Sequence, residues 1–496
     1  MQPHPRRWLI LIALCLSTLV LLMDNMALTV AVPSLAADLG ATAQDIQWIL
    51  ESYMLVFAGL LLTAGSLSDR YGRRKVMVIG LVLFGAASLL ATLTTNPGQL
   101  IAARVAMGVG GSLIMPSTLS LLMVVFPDEV ERRKAMAAGA AIAVLGLVGG
   151  PVLGGALVAS FGWESVFWIN VPVVALAVLA ALTLMPESKG PRTKPDPVGA
   201  VLSVIGMSAL VWTINELAHG ISWTPLAVAV IALAAFILWE LRTEHPMVPL
   251  KLFGDRDFAG GSLSLTLVQV GNGGLLLVLT QYMQFVLGYT PTQAGLALIP
   301  MFVASVIFNG IGTGLGIKLG NRTTAVLGMI VMATGFGLLA FTSPDSFVAL
   351  AITQVVLGAG GGLAVPTTIA ALMGAIPTEQ AGVGSALNDT IQQAGAALGV
   401  AILGSLATSS YTSAMPATAS EEARRSVAAA VADPSLAAVA REAYHAAMSS
   451  AFLGAATGVL GAAVLALLML RGRKPGAHAT EAGAHVTSES QALVNA

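Results

Sequence analysis

Charge is what this chain has least of. Only 10% of its 496 residues are Asp, Glu, Lys or Arg, where soluble domains carry about 25%. Sulfur bridges are excluded as well, because Cys15 is the single cysteine, so no intrachain disulfide can form. The six histidines fall mostly in loops and tails and never at ligand spacing, which leaves a metal centre or a nucleophilic triad without support. The formal charge of −1 by itself says nothing about partners, and no nucleic-acid partner is expected. In a chain this apolar, the side of the membrane on which charges sit matters more than their sum.

What is abundant is apolar length. Hydrophobic residues make up 56% of the chain and the mean hydropathy is +0.84, which defines an integral membrane protein. The N-terminal apolar run from Trp8 is too long for a signal peptide and reads as a retained first helix. At about 20 residues per crossing the chain divides into 14 helices, near 8–32, 46–69, 75–95, 99–123, 133–159, 165–186, 197–216, 225–243, 257–285, 292–316, 322–342, 345–372, 382–407 and 447–470. With both termini cytoplasmic, 20 of the 24 Lys and Arg fall on the cytoplasmic side, as the positive-inside rule requires. Arg424, Arg425 and Arg441 lie outside in one loop, and Arg104 lies within the fourth helix.

The chain also repeats. "MGVGGSLIMPST" from Met107 aligns with "LGAGGGLAVPTT" from Leu357 at an offset of 250, and an offset of 248 pairs Gly72 with Gly320. Helices 1–6 and 9–14 are thus two pseudo-symmetric six-helix halves, with helices 7 and 8 inserted between them. Parallel halves of this kind are the architecture of the major facilitator fold. The expected units are 1–190, an insert at 191–256, 257–474, and a disordered cytoplasmic tail at 475–496. An outer loop near 407–446 is Ala-rich and charged and reads as two short amphipathic helices.

Against this background Asp24 stands out, because a carboxylate at the centre of a spanning helix costs about 2.5 to 3.5 kcal/mol on insertion scales. In the repeat it falls opposite Asn272, so the charge is not part of the shared scaffold. Two readings remain open: a structural partner for Arg104, or an acceptor of protons and cations. Asp389 lies about two turns into helix 13 on a polar stripe with Asn388, Gln392 and Gln393; the alternative is a first-turn residue stabilised by the helix dipole. Glu51 lies nearer the outer surface, where a solvated vestibule carboxylate is the alternative. Glu216 reads first as a loop-edge charge. Tyr53, Phe57, Trp212 and Tyr282 suit a cavity for flat cations, or simply packing. "GAGGG" at Gly358–Gly362 lacks a Lys-Ser/Thr and a preceding strand, and so reads as close helix packing rather than a nucleotide loop.

Three further blocks complete a pattern: "GSLSDRYGRRKV" from Gly65, with Asp69, Arg70, Gly72, Arg73 and Arg74; "LIAARVAMGVGG" with Arg104; and "GLVGGPVLGG", with Gly150, Pro151, Gly154 and Gly155. With "LLMDNMALTVAVP", "FWINVP" and "MPESK", they resemble, nearly end to end, the 14-helix drug:proton antiporter branch of the major facilitator superfamily, multidrug pumps of the QacA, SmvA and LfrA type. The resemblance implies that Asp24, Glu51, Asp389 and Glu216 match acidic positions of that branch. It implies a proton-coupled exporter of lipophilic cations such as quaternary ammonium compounds, in a bacterial cytoplasmic membrane, working as a monomer. The energy source implied is a proton gradient, with no enzymatic step, cofactor or metal. The chain departs from the branch at Met26, Ser305 and Gln393, which puts divalent substrates in doubt, and at Ile317, which confines the charged cytoplasmic latch to the first half. An exporter of an endogenous metabolite, lipid or siderophore, or a non-transporting scaffold or sensor, would fit the same fold.

Overall fold

In the computed structural model the described residues are 6–470, apart from 127, 190–195, 217–221, 245, 247, 249, 342–346 and 377–380; the side chains of 62, 119 and 381–386 and most of those between 129 and 148 are also outside the description. The described elements are α1 (Arg7–Leu39), α2 (Ala43–Tyr71), α3 (Arg73–Ala91), α4 (Pro97–Val125), α5 (Glu129–Phe161), α6 (Ser165–Trp168), α7 (Asn170–Leu184), α8 (Pro197–Glu216) and α9 (Trp223–Arg242). They continue with α10 (Arg256–Gln281), α11 (Pro291–Ala297), α12 (Ile299–Leu319), α13 (Asn321–Ala340), α14 (Phe347–Gly374), α15 (Ala381–Ala414), α16 (Glu421–Arg425), α17 (Val427–Ala432) and α18 (Ala437–Met469). Twelve spans, with α6–α7 and α11–α12 each counted as one, are long and apolar enough to cross a membrane, and the bent α2 makes a thirteenth. The remaining expected crossing, 133–159, falls on α5, of which Gly149–Phe161 forms a shorter apolar stretch among the described residues.

The ends of these helices are written locally. Thr42 and Asp45 form a capping box on α2, Thr290 and Gln293 another on α11, and Asn96 caps α4 just before Pro97, satisfying backbone N–H groups that an isolated helix start leaves open. At the turn between α2 and α3, Gly72 has φ +117°, a conformation that side chains other than hydrogen rarely adopt. Its repeat partner Gly320, with φ +88°, makes the same turn between α12 and α13.

Packing reproduces the duplication residue by residue. Gly108 of α4 lies against the backbone of Tyr53, and Gly358 of α14 against that of Met301; Gly110 meets Phe84, and Gly360 meets Met332; Gly80 faces Leu113, and Gly328 faces Leu363. Each pair recurs at the offsets of 248 or 250. The buried apolar side chains accordingly form two large cores, one dominated by α1–α7 and one by α10–α18, and two smaller clusters, one of which, around Val211, joins α2, α8 and α15.

The halves are closest at the end of the bundle away from Arg7, called here the opposite end. There Thr292 donates to the Gly155 carbonyl at 2.9 Å and Gln284 to the Val30 carbonyl at 3.0 Å. Gly155 abuts Pro291, and Gly295 abuts Pro151, backbone on backbone. The inserted α8 and α9 pack on each other, and α8 lies against both α2 and α15, with Gly59 directly beneath Val204.

Two boundaries differ from expectation. The region expected as a loop at 407–446 is shorter, because α15 runs to Ala414 and α18 already begins at Ala437; alanine favours helix in both flanks. What remains carries the two short helices, α16 and α17, fastened where Tyr411 donates to the Ala423 carbonyl at 3.0 Å and Thr412 to that of Arg424 at 3.1 Å. The tail at 475–496 lies outside the described residues, as do Arg192, Lys194, Arg471, Arg473 and Lys474.

Candidate functional site

Asp24 and Arg104 are brought together. Arg104 Nη1 donates to Asp24 Oδ2 at 2.5 Å, its Nε to the Ile49 carbonyl at 3.1 Å and its Nη2 to Asn25 Oδ1 at 3.4 Å. Its guanidinium lies 4.4 Å from the centre of the Tyr53 ring, where the negative face of the ring attracts it. Asn170 completes the arrangement, donating to Asp24 Oδ1 at 2.8 Å and to Ser88 Oγ at 3.0 Å, while Ser88 donates to the Phe167 carbonyl. All of these groups belong to the first half. The cluster pins α1, α2, α3, α4 and α7 together, and in this conformation the Asp24 carboxylate is filled by protein donors instead of facing a cavity. Asn170 lies in the "FWINVP" block, and its amide role is invisible in an otherwise apolar run.

Position 354, the counterpart of Arg104 at the offset of 250, is Gln354. It has no exposed surface, and among the described residues neither of its amide atoms has a hydrogen-bond partner. Asn272, the counterpart of Asp24, donates to Gln269 Oε1 at 3.0 Å. The second half therefore holds amides where the first holds an ion pair.

Glu51 is not the solvated vestibule carboxylate that stood as its alternative reading. It has 0% exposure, because α8 and α15 cover the face of α2 that carries it. Asn215 of α8 donates to Glu51 Oε2 at 3.1 Å, and Ser405 of α15 donates to Asn215 Oδ1 at 3.4 Å. Glu51 Oε1 has no partner. One turn earlier on α2, the Gln47 amide lies against Gly404 of α15.

Asp389 sits among the polar side chains of α15. Asn388 donates to its Oδ1 at 3.1 Å, and Gln269 of α10 donates to Gln392 at 3.3 Å. The side chain is half-buried, and among the described residues no ion pair involves it. Glu216, at the last residue of α8, accepts from Gln44 at 2.9 Å, the arrangement of a helix-end charge.

In the loop motif, Asp69 pairs with Arg73 at 2.8 Å, and Arg70 lies over the Tyr71 ring. Arg74 donates to the Met185 carbonyl at 3.0 Å. Glu187, which sequence reasoning passed over in "MPESK", accepts from the Arg74 and Lys75 amides at 3.1 and 3.2 Å. It caps α3 from the far side of α7. Among the described residues no ion pair joins the corresponding loop of the second half. Gly65 faces Pro116 of α4. In the α5 motif Gly150 and Gly154 admit Met26 and Ala27 of α1, while Pro151 and Gly155 meet α11, so this segment touches both halves.

The aromatic residues expected to line a cavity are divided. Tyr53, Phe57 and Tyr282 are core side chains with 1–2% exposure, whereas Trp212 is 47% exposed on α8. An apolar run does not reveal which of its faces turns inward. A small cleft opens at the opposite end beside the α16–α17 hairpin, lined by Gln47, Gln281, Thr408, Tyr411, Arg425 and Tyr444 among others.

Residues 14–239 and 261–493 match the family model described as Major Facilitator Superfamily. Among characterised proteins, the multidrug efflux pump LfrA of Mycolicibacterium smegmatis is 34% identical, covering 82% of each chain. The methyl viologen resistance protein SmvA of Salmonella typhimurium is also 34% identical, over 84% of this chain and 86% of its own. Among solved structures, a bacterial homologue of the human lysosomal transporter Spinster, captured inward-facing and unoccupied, superposes with a TM-score of 0.69 at 18% identity, covering 95% of this chain and 99% of its own.

Proposed function

The chain belongs to the major facilitator superfamily, and from that premise we propose that it exports lipophilic, chiefly monovalent cationic drugs, dyes or antiseptics from the cytoplasm in exchange for protons. Two of its relatives are a multidrug efflux pump and a methyl viologen resistance protein, and these support drugs as the substrate class.

The observation that carries the reading is Asp389. It is a carboxyl within a spanning helix, on a polar stripe, whose hydrogen-bond partner among the described residues is the neighbouring Asn388 amide. A membrane protein retains such a group where it meets water, a proton or a cationic ligand. In the scheme we draw, the ionised Asp389 attracts the cation from the cytoplasmic side. After the halves rock, the group meets the more acidic exterior, where protonation removes the attraction. Each proton returning inward is worth about 2.3 kcal/mol per 100 mV. No cofactor and no covalent step enter this cycle. One chain contains both halves and the seam, so the scheme needs a single copy.

The Lys and Arg skew supports cytoplasmic termini with the opposite end outside, and the bacterial relatives support the cytoplasmic membrane of a bacterium as the location. The test is ethidium efflux from vesicles with and without an imposed pH gradient. Gradient-driven efflux by the wild type, lost in Asp389→Asn with the protein intact in the membrane, is the expected result. Wild-type vesicles that move no ethidium would redirect the search to an endogenous substrate, and undiminished efflux by Asp389→Asn would remove the role given to that residue.

A further inference from the structure

The inserted helices have no counterpart in the two repeated halves, yet α8 stands at the place where those halves meet. It packs on α2 of the first and α15 of the second, and Val204 sits directly over Gly59 of α2. At its last turn Asn215 spans the seam, with its Nδ2 on Glu51 and its Oδ1 accepting from Ser405. Three segments of the chain are thus tied through one amide.

We propose that Asn215 is the positioning residue of a latch, in which the α2–α15 seam closes over Glu51 only in its neutral, protonated form. The inserted helices are then a working part of the gate at the opposite end. This deepens the transport reading above and rests on it for its physiological meaning.

The argument is one of compensation. Glu51 has no exposed surface, one oxygen hydrogen-bonded to an amide and the other without a hydrogen-bond partner among the described residues. A buried carboxylate demands a cation or several donors, and a buried acid demands far less. Among the described residues, the elements packed around it supply no cation. From α8 the nearest ionisable group is Glu216, engaged with Gln44. From α15 comes the Ser405 hydroxyl. From α4 comes Arg104, committed to Asp24, the Ile49 carbonyl and the Tyr53 ring. On α2 itself the neighbours are Gln47 and Ser52, each with an unpartnered buried polar atom. Parting of the seam would return the carboxyl to water, where it ionises. Closing therefore takes up a proton, and acid on that side favours the closed gate.

The test reads the gate directly and needs no substrate. Nitroxide labels are placed at the exposed positions Ala37 of α1 and Ala414 of α15 in full-length protein carrying Cys15→Ser, in nanodiscs, and their separation is measured from acid to alkaline pH. In the otherwise wild-type chain the short distance holds in acid and gives way to a longer one as pH rises. Glu51→Gln, a permanent neutral mimic, keeps the short distance throughout. Asn215→Leu removes two hydrogen bonds, the one to Glu51 and the one from Ser405, from the closed, neutral state and so moves the midpoint of closing down by about one to two pH units, while Asn215→Gln restores part of the shift. A wild-type distance indifferent to pH, a pH response surviving unchanged in Glu51→Gln, or an unmoved midpoint in Asn215→Leu would each overturn the latch. Because these distances are read without substrate, an absence of ethidium transport in the same preparations would count against the export reading and leave the latch standing.

Discussion

Arg104 Nη1 lies 2.5 Å from Asp24 Oδ2, and neither side chain has any exposed surface. Breaking a buried pair by removing one partner costs about 3 to 5 kcal/mol, because the other charge is left uncompensated. Arg104→Gln and Asp24→Asn are therefore each expected to lower the thermal transition of the detergent-purified protein, and the double substitution to recover part of the loss. Tryptophan fluorescence during heating checks this, and additive losses in the double variant would mean that the two groups do not act as a pair.

Asn170→Leu strips Asp24 Oδ1 of its donor while leaving the ion pair. An unsatisfied buried acceptor costs about 1 to 3 kcal/mol, so a smaller shift of the same transition is expected. If Asn170→Leu proves as destabilising as Arg104→Gln, the amide matters as much as the guanidinium.

At the turn between α2 and α3, Gly72→Ala forces a side chain into a positive-φ conformation and against the Glu187 carboxylate, 2.7 Å from where the new Cβ would stand. A loss of about 1 to 3 kcal/mol follows from the strain alone. Glu187→Ala, which uncaps α3 and removes the partly exposed pairing with Arg74, is expected to cost about 1 to 2 kcal/mol. Proteolytic nicking between Tyr71 and Arg73 gives an independent local measure of both.

Gly155→Ala places a methyl group on the backbone of Pro291. Overpacking of this kind costs about 1 to 3 kcal/mol, and here the cost falls on the conformation in which the opposite end is closed. The Ala37–Ala414 label distance should lengthen at acid pH, where the unsubstituted chain stays short. A distance unchanged by Gly155→Ala would show that the contact yields without opening.

Much of this molecule is legible in its sequence because lipid restricts the vocabulary: a spanning segment must satisfy its own backbone, so helices appear as apolar runs. The duplication is legible too, since Gly108 and Gly358 repeat the same close approach to α2 and α12. Side-chain orientation is harder to read. Glu51 and Tyr53 are two residues apart on one apolar helix, and nothing local says that one meets α8 and the other supports Arg104. Asn215 and Asn170 escaped notice because an amide in a membrane helix draws less attention than a charge, although here each amide is what completes a carboxylate's surroundings. Glu187 is a loop residue whose partners, more than a hundred positions earlier in the chain, become neighbours only when α7 returns beside α3.

The backbone contacts of Gly155 with Pro291 and of Gly295 with Pro151 carry a consequence for the host cell. With atoms that close, a file of water molecules has no room to thread between the segments, and hydrogen-bonded water is the wire along which protons leak. A carrier that mates its halves peptide against peptide, with side chains such as Thr292 and Gln284 tying the joint from its edges, can be present in many copies in an energised membrane without short-circuiting it.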